Sequence, residues 1–289
     1  MAFNWQTFKT RATTAVVFVV VMMAGLLWNE WSYFLLFSIV HFGGWNEYKK
    51  LVKKFNPAYE KVSLLHQYVV MIAGWCLMLF FTNDELKIAG LSLTEAGFWL
   101  GILLMILLPL VMWVEGKLVF FSNILYSIFG VLYISLPLAL LVELRTHDWT
   151  STGQADLGLV IPLTIIFSLW INDTMAYIVG SLIGKTPLSK ISPKKTWEGT
   201  TGGVVLTIVV IAVLAYFTQK LSMTQAAIIA AIAAVSGTFG DLFESKLKRM
   251  AGVKDSGSIM PGHGGFLDRF DSLLFAAVFV WFFVRLAIG

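Results

Sequence analysis

The chain is written as long apolar blocks separated by short polar connections, and the blocks have the length of membrane-crossing helices. A helix needs about 17–25 predominantly apolar residues to traverse the hydrocarbon layer. A scan at about that length gives nine candidates: 12–28, 31–48, 67–82, 97–114, 120–143, 157–180, 200–218, 224–242 and 272–288. The pattern predicts an all-α, polytopic integral membrane protein with about nine transmembrane helices. The second stretch is the least regular, because Asn46 and Glu47 sit near its end and the turn before it is very short. The first follows Lys9 and Arg11, as a signal peptide would. Its apolar run is long, however, and ends in Trp28-Asn29-Glu30-Trp31 instead of small residues, so it is read as a retained helix.

Composition supports the membrane reading. Hydrophobic residues make up 58% and charged ones 13%, where a soluble domain carries about a quarter charged. No single soluble core needs that much apolar surface, so the excess faces lipid. Charge then orients the helices. With the N-terminus in the cytosol, only Lys87, Arg145, Lys220 and Arg285 of the 21 Lys and Arg residues fall on the far side. That asymmetry predicts an N-in, C-out topology, and one missed helix would destroy it. The net charge of +4 comes from residues flanking spans, which face anionic headgroups. No basic run is interleaved with aromatics, so nucleic acid is not an expected partner. Cys76 stands alone, which excludes an intramolecular disulfide and a thiolate metal cluster.

The chain changes character near residue 150. Up to there the spans carry few polar groups, and residues 1–150 read as an N-terminal transmembrane scaffold. Residues 151–289 read as a C-terminal transmembrane catalytic region, because its cytosolic connections are rich in Lys, Asp, Gly and Pro. Four segments carry the chemistry. Asn172 and Asp173 lie inside the sixth span, where an acid points to function or to an internal partner. A packing hydrogen bond from Asn172 or Thr174 is the plainer alternative. The loop 185–199 holds Ser192, Lys194, Lys195, Thr196 and Glu198. Pro193 blocks helix continuation, and Gly199 with the following Thr-Thr-Gly-Gly suits a turn into the seventh helix. A helix N-terminus with two lysines beside it suits phosphate. In the third segment Asp241, Glu244, Ser245 and Lys248 recur at helical spacing and share one face. The fourth runs from Lys254 and Asp255 through His263, Gly264 and Gly265 to Asp268, Arg269 and Asp271. Its glycines permit close backbone approach to a ligand, and its aspartates, three apart, are expected to be neutralised by Mg²⁺. Carboxylates, lysines and Gly-rich turns at one membrane face describe a Mg²⁺-dependent phosphate-transfer site.

The run Ser245-x-Leu-Lys248-Arg249-x₄-Lys254-Asp255-x-Gly257-x₃-Pro261-x-His263-Gly264-Gly265-x₂-Asp268-Arg269-x-Asp271 resembles the signature of the phosphatidate cytidylyltransferases, the CDP-diacylglycerol synthases. Met260 is a minor departure. The Asn172-Asp173, Ser192–Gly199 and Gly240-Asp241 segments are similar to the family's other characteristic stretches, so the resemblance covers roughly residues 165–275. It implies condensation of CTP with phosphatidic acid to CDP-diacylglycerol and pyrophosphate by a dimeric membrane enzyme. It also implies Mg²⁺ and a second, monovalent cation such as K⁺. By matching positions Asp241 and Asp268 become the leading metal ligands, with Asp271 close by; these three and Lys248 form the expected catalytic set. Asn172, Asp173, Ser192, Lys194, Lys195, Thr196, Glu198, Ser245, Arg249, Lys254, Asp255, His263, Gly264, Gly265 and Arg269 form the expected substrate-binding set. The expected location is a cell membrane, that of a bacterial interior membrane on the chain's compact length, with the site facing the cytosol. The nearest alternative is a related CTP-dependent lipid or polyprenol kinase. A secondary transporter is more distant, because internal repeats are missing and charge clusters at one membrane face.

Overall fold

The computed structural model describes residues 5–115, 117–150, 156–259 and 264–288. The order is α1 (Trp5–Leu27), α2 (Glu30–Phe55), α3 (Pro57–Glu60), α4 (Leu64–Phe80), a two-stranded hairpin β1 (Lys87–Ile88) and β2 (Leu91–Ser92), α5 (Leu93–Glu115), α6 (Lys117–Gly130), a π-helical turn (Val131–Ser135), α7 (Leu136–Thr146), α8 (Leu157–Ile183), α9 (Trp197–Thr218), α10 (Met223–Met250) and α11 (Leu267–Ala287). The hairpin is tight because Ala89 and Gly90 both take left-handed backbone angles, φ 52° and 88°.

Six helical stretches among the described residues are long and apolar enough to cross a membrane: Leu93–Val114, Asn123–Thr146, Leu157–Ile183, Trp197–Thr218, Met223–Met250 and Leu267–Ala287. Two shorter apolar helical stretches, Ala12–Leu27 and Leu64–Phe80, fall on the first and third predicted segments. The second predicted segment lies in α2, which is helical but buries His41, Glu47 and Lys49. Those polar groups take it below the apolarity of the other spans.

Two compact units emerge. Met1–Val142 groups with Leu247–Phe270, and Glu143–Lys246 groups with Asp271–Gly289. The first unit is built on α2. Asn29 starts that helix with a capping box: its Oδ1 accepts from Ser32 N at 2.8 Å, and Ser32 Oγ accepts from Asn29 N at 3.0 Å. Phe37, Trp45 and Val52 on α2 are wholly buried. The π-helical turn places Ser135 Oγ 2.9 Å from His41 Nε2, and the same oxygen accepts from Trp45 Nε1 at 2.9 Å. Gly74 of α4 leaves room for that oxygen, since a Cβ there would lie 2.1 Å from it.

In the second unit α8 and α9 form a close antiparallel seam. A Cβ on Gly203 would sit 2.8 Å from Ala176 Cβ and 3.0 Å from Asn172 O, and one on Gly199 would sit 2.7 Å from Ala176 O. The predicted turn at Gly199 to Gly203 is therefore helix. Thr196 caps α9, its Oγ1 accepting from Gly199 N at 3.1 Å, and the glycines serve helix contact. A similar contact joins α10 to α11. There Gly240 abuts the carbonyl of Asp271, and Gly237 abuts Ser272. In the same unit Lys220, between α9 and α10, pairs with Asp156 before α8, and Trp281 Nε1 of α11 donates to Glu143 Oε2 of α7 at 2.7 Å.

Candidate active site

The sequence-predicted residues fall into two groups, one in each unit. In the second unit a cavity of about 480 Å³ is lined by Asn172, Asp173 and Tyr177 of α8, Lys194, Lys195 and Thr196 of the loop, Thr200 of α9, and Thr238 and Asp241 of α10. Lys195 Nζ donates to Asp241 Oδ2 at 2.5 Å, and both side chains are 30% exposed. Ser245, one turn on, donates to Asp241 Oδ1 at 3.3 Å. Asn172 is 4% exposed and its Oδ1 has no hydrogen-bond partner among the described residues. A buried carboxamide oxygen without a partner is unfavourable by about 1–3 kcal/mol, so it marks a place where a ligand group or water gains. Thr174 takes the plainer role, donating to Trp170 O in its own helix at 2.8 Å.

The loop that presents the two lysines is held by its own polar groups. Leu188 N donates to Lys195 O at 2.8 Å, Lys195 N to Ser192 O at 3.1 Å, and Trp197 N to Thr186 O at 2.9 Å. The Glu198 carboxylate accepts from Lys185 N at 3.2 Å and from Thr186 Oγ1 at 2.8 Å. Thr196 and Glu198 thus fasten the loop to α9. The Trp197 and Gly199 amides are used inside the protein, so they are not free to cradle a phosphate. Lys194 is exposed.

In the first unit the end of α10 and the start of α11 carry the second group. Gly252, with φ 67°, terminates α10: Val253 N donates to Lys248 O at 2.9 Å and Gly252 N to Arg249 O at 3.1 Å. Lys248 Nζ donates to Asp268 Oδ1 at 2.7 Å, with the side chains 13% and 8% exposed. Asp268 Oδ2 accepts from Ser256 N at 2.9 Å, Ser256 Oγ at 2.9 Å and Gly265 N at 2.8 Å. Gly264 has φ 80°, and a Cβ on it would lie 2.6 Å from Asp268 Oδ2. The space beside Gly264 therefore belongs to a protein carboxylate. Arg249, Lys254, Asp255 and Arg269 are exposed, and Arg249 Nη1 donates to Val253 O at 3.2 Å. His263 lies outside the described residues. Asp271, on α11 in the second unit, is 8% exposed and accepts from Ser272 N at 2.6 Å.

Glu47 is the residue that sequence reasoning passed over. It is 6% exposed and accepts from Phe266 N and Leu267 N, both at 2.9 Å, and from Ser256 Oγ at 2.7 Å. The signal that could have found it was present: an acid inside an apolar helix needs a partner.

Among the described residues no three or more His, Cys, Asp or Glu side chains gather as a ready-made metal cage. That is compatible with Mg²⁺, which takes one or two carboxylates and completes its shell with substrate phosphate and water. The hard oxygens of Asp241 and Asp268 are donors of the right kind, and each already holds an ammonium cation.

The cytidylyltransferase family profile matches residues 9–287. The chain is 42% identical over 144 residues to chloroplastic phosphatidate cytidylyltransferase 4 of Arabidopsis thaliana, covering 49% of this chain and 37% of that protein. It is 39% identical over 186 residues to chloroplastic phosphatidate cytidylyltransferase 5 of the same plant, covering 57% of this chain and 46% of the relative. The chain thus spans less than half the length of these two plant proteins. Phosphatidate cytidylyltransferase of Synechocystis sp. is 29% identical over 298 residues, and there the match covers 96% of each protein. With a family match that runs almost from end to end, on a helical membrane fold carrying the signature run, the chain belongs to the cytidylyltransferase family.

Proposed function

We propose that the chain is a phosphatidate cytidylyltransferase, which condenses CTP with phosphatidic acid to CDP-diacylglycerol and pyrophosphate. The observation that carries this reading is the cavity in the second unit, where Lys194 and Lys195 face Asp241 and the unpartnered Asn172 oxygen. Such a cavity offers cations, a carboxylate and a neutral polar group, which a nucleotide triphosphate needs and a purely apolar lipid does not. The names of the relatives support CTP and phosphatidate as the substrates.

The chemistry asks little proton transfer of the protein. A phosphate oxygen of the lipid is already anionic, so it forms its bond to the α-phosphorus of CTP without a general base. The bond from that phosphorus to the β-bridging oxygen breaks, and pyrophosphate leaves with the electron pair. The barrier lies in bringing one anion against another, which cations lower by electrostatic stabilisation and in-line positioning. Lys194 and Lys195 are assigned to triphosphate or lipid phosphate, and Lys248, Arg249, Lys254 and Arg269 to the remaining phosphate charge. Ser192, Ser245, Asp255, His263, Gly264 and Gly265 shape or bind. Mg²⁺ is assigned to the carboxylates of Asp241 and Asp271 in the second unit and, separately, to that of Asp268 in the first, and when bound it would withdraw charge from the phosphates and the leaving pyrophosphate. A monovalent cation such as K⁺, a homodimer, and an N-in, C-out orientation with the site toward the cytosol belong to the same proposal.

The test uses CTP labelled separately at the α- and γ-phosphates, with phosphatidic acid in mixed micelles. The α-label is expected in the lipid product and the γ-label in pyrophosphate. Transfer of the γ-label to lipid would instead establish a CTP-dependent kinase, and substrate uptake into proteoliposomes without nucleotide consumption would establish a transporter.

A further inference from the structure

The network at Glu47 gives the N-terminal helices a role in the reaction. We infer that Glu47 is a positioning residue, which holds the start of α11 and the flanking residues Ser256, Gly257 and Gly265 so that Asp268 presents its carboxylate in one orientation. Its bonds reach across more than two hundred residues, from α2 to Ser256, Phe266 and Leu267. One oxygen, Oε1, takes Phe266 N, and the other, Oε2, takes Leu267 N. Leu267 opens α11, so the carboxylate closes two of the orphan amides at the positive end of that helix. A carboxylate accepting from backbone amides forms stronger bonds than a neutral group would.

The loop sequence is fitted to this side chain. A Cβ on Gly257 would lie 2.2 Å from Glu47 Oε1, and a Cβ on Gly265 would lie 2.2 Å from the same atom. Neither glycine can carry a side chain while Glu47 occupies its place. One turn earlier on α2, a Cβ on Gly43 would meet the Phe266 ring at 2.2 Å, so the same helix face takes both the amide and the ring of that residue. Two independent features of the chain, bare glycines on the loop and a bare glycine on α2, therefore converge on one docking geometry.

Ser256 links this clamp to Asp268. Its hydroxyl lies 2.7 Å from Glu47 Oε2 and 2.9 Å from Asp268 Oδ2, and it has one hydrogen to give. The Ser256 and Gly265 amides occupy Asp268 Oδ2, and Oδ1, which takes Lys248 Nζ, is the oxygen with a lone pair left for a cation. Glu47 thus acts on Asp268 by geometry, through the Ser256 link. The idea rests on the assignment of Asp268 as a Mg²⁺ ligand made above.

Glu47→Gln in the full chain, in detergent or nanodiscs, tests it. A carboxamide retains one acceptor and turns an NH₂ toward an amide donor, so one of the α11 amides loses its partner. Amide hydrogen exchange at Phe266 and Leu267 is expected to quicken by about tenfold or more. The Mg²⁺ concentration for half-maximal transfer is expected to rise by about tenfold, as for loss of other groups that orient a metal ligand, while KM for CTP changes less than about twofold. Ser256→Ala, which removes only the hydroxyl, is expected to move the Mg²⁺ requirement in the same direction by less and to leave the variant folded. A folded Glu47→Gln protein with unchanged exchange and unchanged Mg²⁺ requirement overturns the inference. So does a loss of activity matched by loss of folded protein in Glu47→Gln, if Ser256→Ala also leaves the Mg²⁺ requirement unmoved. Failure of the functional reading is separate: it appears as absent CMP transfer by the unmodified chain, and the exchange measurement still judges Glu47.

Discussion

The two units each hold one Lys–Asp pair, and the pairs differ in how they are built. Lys195 and Asp241 are each 30% exposed, and among the described residues the carboxylate has, beyond the ammonium, a 3.3 Å contact from Ser245. Lys248 and Asp268 are 13% and 8% exposed, and Asp268 is further bound by two amides and a hydroxyl. Water can replace either partner in the first pair, which makes such a contact worth about 0–1 kcal/mol. In the second pair neither charge can be left alone, and removing one partner from a buried pair typically destabilises by about 3–5 kcal/mol. Under the proposed function the first pair is the one that would exchange partners, with Lys195 turning to an incoming phosphate. The second is arranged to stay, its lysine holding a carboxylate while its positive charge remains to offset phosphate under the proposed function.

Three experiments, on four variants, sharpen or break this contrast. The largest effect is expected for Asp268→Asn. The amide oxygen still accepts from the loop, but Lys248 loses its carboxylate, so stability is expected to fall by about 3 kcal/mol, and transfer of CMP by the folded protein falls by about 10³-fold or more. Near-normal turnover in the labelled-CTP assay would remove Asp268 from the metal assignment. Next comes the paired comparison Lys248→Ala against Lys195→Ala. The first is expected to lower stability by about 3 kcal/mol, read as an earlier unfolding midpoint in denaturant. The second is expected to change stability by less than about 1 kcal/mol while kcat/KM for CTP falls about 10²-fold. If both variants lost stability equally, the distinction between an exchanging and a fixed pair would fail. The smallest effect is expected for Thr196→Ala, which removes the cap of α9 and should reduce stability by about 1 kcal/mol, measured as a melting shift.

Hydropathy placed the helices well and their partners poorly. The stretch 224–242 was bounded where charge begins, yet α10 continues to Met250, because backbone hydrogen bonding does not stop when the side chains become polar. The stretch 120–143 gave no sign of the π-helical turn at Val131–Ser135, which answers to His41 and Trp45 on another helix. Asp241, Lys195, Lys248 and Asp268 were legible because charge inside or beside an apolar block is conspicuous. Glu47 was equally conspicuous but lacked a partner within reach in sequence, and its three donors lie more than two hundred residues away. The glycines were recognised as permissive positions. What they permit could not be read locally: Gly203 makes way for Ala176, Gly264 for Asp268 and Gly265 for Glu47.

The seam between α8 and α9 bears on the mechanics of the cavity. With Gly199 and Gly203 pressed against Ala176 and the Asn172 carbonyl, neither helix can slide or roll past the other without backbone collision. The pair therefore works as one lever. The loop joining them is tied at its base by Thr186, Thr196 and Glu198, so the spacing between Lys195 and the helix that carries Asn172 and Asp173 is fixed by the same seam.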